Sequence, residues 1–242
     1  MSNNDILKIC YLLGSVSFIL GLKMLSKPDS AKKGNLFAAF GMLIAIVGTI
    51  LLHENVDHET GQVTSIGNLP YIFGAIVIGT VVGYIVAMRV KMTAMPQMVS
   101  LFNGMGGACA ALISIVEMST HHPQEWGERF IIFLSLMIGS VSFAGSMIAY
   151  GKLEGKIKDY GSKAQQITNN TIVFVILALI IYISFNPQLG DWFIWLVFGA
   201  SLVYGILFVL PIGGADMPVV ISLLNSFTGI AAALGGFLYD NQ

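Results

Sequence analysis

The chain has 242 residues, 55% of them hydrophobic and 10% charged, with a formal net charge of −1. A soluble domain carries about 25% charged residues, so a water-solvated fold of this size is excluded. The near-neutral balance gives no footing for nucleic acid either, and no such partner is expected.

The apolar residues arrive in runs long enough to cross a bilayer as helices. In chain order the predicted spans are 6–25, 35–52, 69–88, 97–118, 130–150, 171–185, 192–210 and 218–239. The expectation is an all-α membrane protein, a bundle of about eight transmembrane helices forming one domain over 1–242. No run alternates with the period of a strand, which argues against a barrel. The first run follows Asp5 and a single Lys8, and further lysines come after it, so it reads as a retained helix rather than a cleaved signal.

The loops set the orientation. Lys23, Lys27, Lys32 and Lys33 follow the first helix, Arg89 and Lys91 the third, and Lys152, Lys156, Lys158 and Lys163 the fifth. That gathers ten of the twelve basic residues on one side, with Lys8 and Arg129 opposite. Positive charge marks the cytoplasmic side, so the N-terminus is expected outside. His53, His58, His121 and His122 then fall in outer loops beside Glu54, Asp57, Glu59 and Glu125. They read as solvated loop histidines, with a metal site as the alternative. Cys10 and Cys109 lie inside apolar runs and suggest neither a metal pair nor a disulfide.

Two stretches echo each other. Met95 to Asn103 resembles Met217 to Asn225 at an offset of 122 residues, and Gly14 to Phe18 matches Gly139 to Phe143 at an offset of 125. Helix 1 thus echoes helix 5, and helix 4 echoes helix 8, which suggests a parallel four-plus-four internal repeat.

No His, Lys, Arg, Asp or Glu falls at mid-helix. The polar side chains available within the membrane are hydroxyls and amides: Thr80, Ser100, Asn103, Ser140, Ser142, Ser146, Ser222, Asn225, Ser226 and Thr228. Ser100 and Asn103 are three apart and share a helix face, as do Ser222 and Asn225. Such pairs either bind helices together or offer donors and acceptors to a water chain without a buried charge. Asp216 precedes the last helix, where Pro218 suits the first turn. Its carboxylate reads as a cap favoured by the helix dipole or as a gate facing a soluble partner. Gly104-Met105-Gly106-Gly107 lies inside an apolar helix and is not a phosphate loop.

Three stretches carry a resemblance: Lys91 to Gln97, Ala149 to Leu153, and Gly213-Gly214-Ala215-Asp216-Met217-Pro218-Val219-Val220. They resemble the membrane part of the beta subunit of proton-translocating nicotinamide nucleotide transhydrogenase. The resemblance implies that proton flow through the membrane drives hydride transfer from NADH to NADP+. NAD(H) and NADP(H) are bound by soluble domains, with no cofactor on this chain. The implied partners are the alpha subunit with its membrane helices, an NADP(H)-binding domain, and a second copy of the whole enzyme, all at the bacterial cytoplasmic membrane. A ninth helix and the NADP(H) domain are expected beyond residue 242. Asn225 matches a channel asparagine and Asp216 an acidic residue at the cytoplasmic mouth. Asn103 stands where some members carry a channel histidine, so either a histidine of the partner membrane subunit or water held at Asn103 and Asn225 passes the proton. The expected proton path is Asn103, Asn225, Ser100 and Ser222, with Asp216 as its gate. A secondary transporter for a small solute and a structural membrane subunit are the competing functions.

Overall fold

The structure is a computed structural model that describes residues 3–52, 55–56, 63–64, 68–160 and 163–238. Among the described residues eight helices are long and apolar enough to cross a membrane, and the chain is an integral membrane protein. They are α1 (Asn3–Leu25), α2 (Pro28–Leu52), α3 (Leu69–Arg89), α4 (Met95–His121), α5 (Trp126–Leu153), α6 (Lys163–Ser184), α7 (Trp192–Val209) and α8 (Met217–Leu238). Between α2 and α3 a two-residue strand pair, β1 (Asn55–Val56) and β2 (Val63–Thr64), joins Asn55 to Thr64 and Val56 to Val63. His53 and His58 lie outside the described residues.

Proline placement explains where these helices start. Pro28 opens α2, while Pro70, Pro96 and Pro218 each occupy the second residue of α3, α4 and α8. The missing N–H costs nothing in a first turn. Pro123, Pro187 and Pro211 sit in connections, so none of the seven prolines breaks a helix at mid-span. α2 begins at Pro28 rather than near Asn35, because Lys32 and Lys33 are carried on its first turns instead of in a loop.

The contacts divide the chain into two compact units, Met1–Met88 and Arg89–Gln242. In the first, α1 and α2 pack through glycines. A Cβ on Gly14 would meet the carbonyl oxygen of Gly41 at 2.9 Å, and one on Gly34 would meet that of Gly21 at 2.6 Å. Backbone approach of this kind is how helices associate in lipid, where apolar burial alone supplies no drive. Tyr11 Oη and Thr49 Oγ1 add a hydrogen bond of 2.9 Å. The outward faces are Leu, Ile, Val and Phe, for example Leu12, Ile19, Leu36 and Phe40. In water these would form an extended apolar patch, whereas against lipid they cost nothing. α3 is apolar on all sides and has no buried residue.

In the second unit α5 is the central helix. Ile132, Phe133, Leu136 and Val141 pack with Ala111, Ile176, Ile180 and Val197 in one cluster. Ala149 packs with Val209, Met217, Val220, Ile221 and Leu224 in another. Gly107 on α4 faces Gly139 on α5. A Cβ on Gly107 would lie 2.7 Å from the Gly139 oxygen, and one on Gly139 would lie 2.8 Å from the Gly107 oxygen. Ser135 of α5 donates to the Ala231 carbonyl of α8 at 3.2 Å. Ser135→Ala is expected to lower stability by about 0.6 kcal/mol, the usual size of one such bond in a membrane bundle, measured by unfolding in detergent.

These units do not coincide with two four-helix halves. The two echoed stretches nevertheless share a local conformation. A 3-10 turn over Met92–Ala94 runs into α4 at Met95, and one over Gly214–Asp216 runs into α8 at Met217. In each, an extended residue precedes the turn (Lys91 φ −77°, ψ 148°; Gly213 φ −65°, ψ 152°), and the first residue of the helix donates back to the start of the turn.

Candidate functional site: a polar cluster between α4, α5 and α8

Midway along the second unit the apolar packing is interrupted by hydroxyls and one amide. Ser100 and Asn103 project from the same face of α4, as their spacing requires, and both are buried, Asn103 at 7% exposure. That face meets Ser142 and Ser146 of α5, which are one helical turn apart. Asn103 Nδ2 donates to Ser146 Oγ at 2.9 Å and to Ser142 Oγ at 3.3 Å. Ser100 Oγ donates to the Ser146 carbonyl at 2.8 Å. On the far side Ser142 Oγ lies 2.6 Å from Thr228 Oγ1 of α8 and 3.0 Å from the Leu224 carbonyl, which Thr228 Oγ1 also reaches at 3.2 Å.

The proton bookkeeping here has two solutions. Ser142 and Thr228 have one hydroxyl hydrogen each. Either Thr228 donates to Ser142 and Ser142 to the Leu224 oxygen, or Ser142 donates to Thr228 and Thr228 to the same oxygen. Both satisfy the pair, and rotation of two hydroxyls interconverts them without placing a charge in the bilayer. Asn103 Oδ1 is buried and has no hydrogen-bond partner among the described residues, leaving a strong acceptor beside this switchable pair.

The structure thus brings Ser100 and Asn103 together and adds Ser142, Ser146 and Thr228. It does not bring Ser222 or Asn225 to them. Both are exposed on α8, whose buried residues include Val220, Ile221, Leu224 and Ala231. Spacing put Ser222 and Asn225 on one face correctly, but in lipid a polar face does not mark the inside of the chain's own packing. Ser140, also among the mid-membrane hydroxyls, donates to the Leu136 carbonyl of its own helix at 2.6 Å.

At one end of the unit the helix termini are tied together. Gln97 Nε2 at the start of α4 donates to the Leu153 carbonyl at the end of α5, at 3.2 Å. Asp216 is exposed in the turn leading to α8, and its N–H donates to the Gly213 carbonyl at 3.0 Å. Lys152, grouped by sequence with the lysines that follow the fifth helix, is buried. Its Nζ contacts Asp159 Oδ1 at 2.9 Å and the Leu210 and Ile212 carbonyls at 2.6 and 2.7 Å. The neighbouring Glu154 and Lys156 remain in water. The Lys156 ammonium, with the Tyr150 hydroxyl second, holds the Glu154 carboxyl below the usual carboxylate range.

At the other end Arg129 is buried, donating to the Pro123 and Ile183 carbonyls at 3.4 and 3.2 Å. His121 stands 3.0 Å from Glu117 and His122 stands 3.8 Å from Asp191. Among the described residues no three His, Cys, Asp or Glu side chains gather into a metal site, and Cys10 and Cys109 are free. The glycines of the 104–107 run serve helix packing. Gly107 abuts Gly139, and a Cβ on Gly106 would meet the Thr228 methyl at 3.0 Å.

The NAD(P) transhydrogenase beta subunit family model matches residues 7–242. The NAD(P) transhydrogenase subunit beta of Rhodospirillum rubrum is 35% identical over 241 residues, covering 96% of this chain and 49% of the relative, and the subunit from a named strain of that species matches with the same figures. The chain therefore spans about half the length of the curated relatives it matches. With a match across nearly its whole length, the chain belongs to the NAD(P) transhydrogenase beta subunit family.

Proposed function

We propose that this chain is the proton-translocating membrane component of a nicotinamide nucleotide transhydrogenase, coupling inward proton flow to hydride transfer from NADH to NADP+. The observation that carries the reading is the buried chain from Asn103 through Ser142 to Thr228, with two hydroxyl arrangements of equal connectivity and a free acceptor at Asn103 Oδ1. A neutral amide does not take up a proton near pH 7, so Asn103 orients hydrogen bonds while a titratable group held by another subunit, or water, carries the charge. Ser100 holds α4 against α5 beside it.

Asn225 and Ser222 are exposed on α8, on a surface where an unsatisfied amide in hydrocarbon is costly. That favours a polar side chain of a neighbouring membrane helix against them. A histidine of the alpha subunit suits this position. Asp216 stands at the mouth, on the side that the lysines mark as cytoplasmic, with the N-terminus outside. NAD(H) and NADP(H) are substrates bound in soluble domains of the complex. The alpha subunit, an NADP(H)-binding domain and a second copy of the whole enzyme complete the assembly in the bacterial cytoplasmic membrane.

The test is Asn225→Leu in the complete enzyme. Because Asn225 is exposed, the chain is expected to assemble normally, while proton flow coupled to hydride transfer falls about tenfold or more. Normal coupling in an assembled variant would remove Asn225 from the path.

A further inference from the structure

The buried Lys152 has a geometry that the polar cluster does not explain. Its side chain is 1% exposed, and its ammonium faces three oxygens: the Asp159 carboxylate and the carbonyls of Leu210 and Ile212. An ammonium has three hydrogens, so all are used. The two carbonyls belong to the segment just after α7, where helix-terminal carbonyls lack partners of their own. Leu210 O also accepts the Tyr160 N–H at 3.2 Å, so a side chain from the last turn of α5 and the main chain of the α5–α6 connection grip the same turn. The second Asp159 oxygen lies beside Gly213, 3.7 Å from where a Cβ would stand. Gly213 caps the 3-10 turn, and its carbonyl receives the Asp216 N–H. A continuous line of contacts therefore runs from Lys152 through Ile212 and Gly213 to Asp216. A surface lysine would be free to move, but a buried ammonium with every hydrogen committed has one position.

We propose that Lys152, with Asp159, is a positioning residue that clamps the Leu210–Gly213 segment and thereby fixes where the Asp216 carboxylate stands. The significance of that placement rests on the reading of Asp216 as the cytoplasmic mouth of the proton path. The clamp itself does not. Asp159 is 61% exposed on its solvent side, so it can exchange its bond to Lys152 for one to a docking partner, whereas Lys152 cannot leave.

The experiment uses the complete enzyme in inverted membrane vesicles, with Cys10→Ser and Cys109→Ser and a single reporter, Ala215→Cys, in the exposed turn. The rate of modification by a membrane-impermeant maleimide reads how firmly the turn is held. Lys152→Met is expected to raise the rate about fivefold and Asp159→Asn about twofold, and Lys152→Arg, which keeps the charge and donors, is expected to stay near the parent rate. A rate in Lys152→Met indistinguishable from the parent overturns the clamp. If Lys152→Met fails to accumulate, Asp159→Asn, altered at an exposed group, decides in the same way. Proton flow recorded on the same vesicles separates the two ideas: faster labelling with unchanged coupling keeps the clamp and removes Asp216 from the proton path.

Discussion

Replacing Gly107 with leucine is expected to separate α4 from α5 and to cut the assembled protein recovered from membranes by about tenfold or more. The reason is backbone contact. A Cβ at Gly107 would lie 2.7 Å from the Gly139 carbonyl oxygen and 2.8 Å from the Phe143 nitrogen, and neither atom can turn aside as a flexible side chain would. Overpacking of a tight interface costs about 1–3 kcal/mol, and here the larger end applies because the whole helix must shift. The polar cluster lies on the same α4–α5 seam, so the shift also breaks the Asn103 bonds to Ser142 and Ser146. Gly199→Ala is the control: among the described residues its added Cβ meets nothing within 4 Å beyond its own stretch of helix, and recovery is expected to match the parent. Size-exclusion recovery in mild detergent measures both.

Asn103→Leu is expected to reduce coupled proton flow by about a hundredfold, the scale on which a positioned proton-transfer partner acts. Leucine is close to asparagine in shape, so α4 and α5 remain in contact through Gly107 and Gly139. What disappears is the donor pair to Ser142 and Ser146 and the free Oδ1 acceptor. Ser142 and Thr228 can still bond each other and the Leu224 carbonyl, but their hydroxyls lose the group that links them to α4. Loss of two interhelical bonds costs about 1 kcal/mol of stability, too little to unfold the chain. Comparing proton flow with the amount of assembled protein separates loss of conduction from loss of fold.

Much of the fold is legible in the residues because lipid imposes one rule on every span. Twenty or so apolar residues, prolines confined to helix starts and connections, and charges held at the ends leave little choice of secondary structure. The site is legible in part, for a different reason. The spacing of Ser100 and Asn103 puts them on one face, and that face proves to be the inner one. The same spacing in Ser222 and Asn225 proves to face outward, because helix periodicity fixes which residues share a side but not which side meets its neighbours. In soluble proteins hydropathy resolves that ambiguity, but in a membrane both sides are apolar. Thr228 is the α8 hydroxyl that meets Ser142, and only the crossing of the two helices selects it over Ser226. Lys152 escapes for a related reason. It sits among loop lysines, and the carbonyls that surround it come from residues some sixty positions later in the chain. Its one local signal is its place on the last turn of α5, upstream of Glu154, where the side chain can still fold inward.

The central claim is that the α4–α5–α8 cluster carries protons in step with hydride transfer between nicotinamide nucleotides. The most direct test places the complete enzyme in inverted vesicles, supplies NADPH and NAD+, and follows lumenal pH with a trapped dye. The reverse reaction is expected to acidify the lumen in the parent enzyme, and Asn103→Leu is expected to abolish the acidification while the protein remains assembled. Full acidification by assembled Asn103→Leu, or hydride transfer by the parent with no movement of protons, would contradict the account.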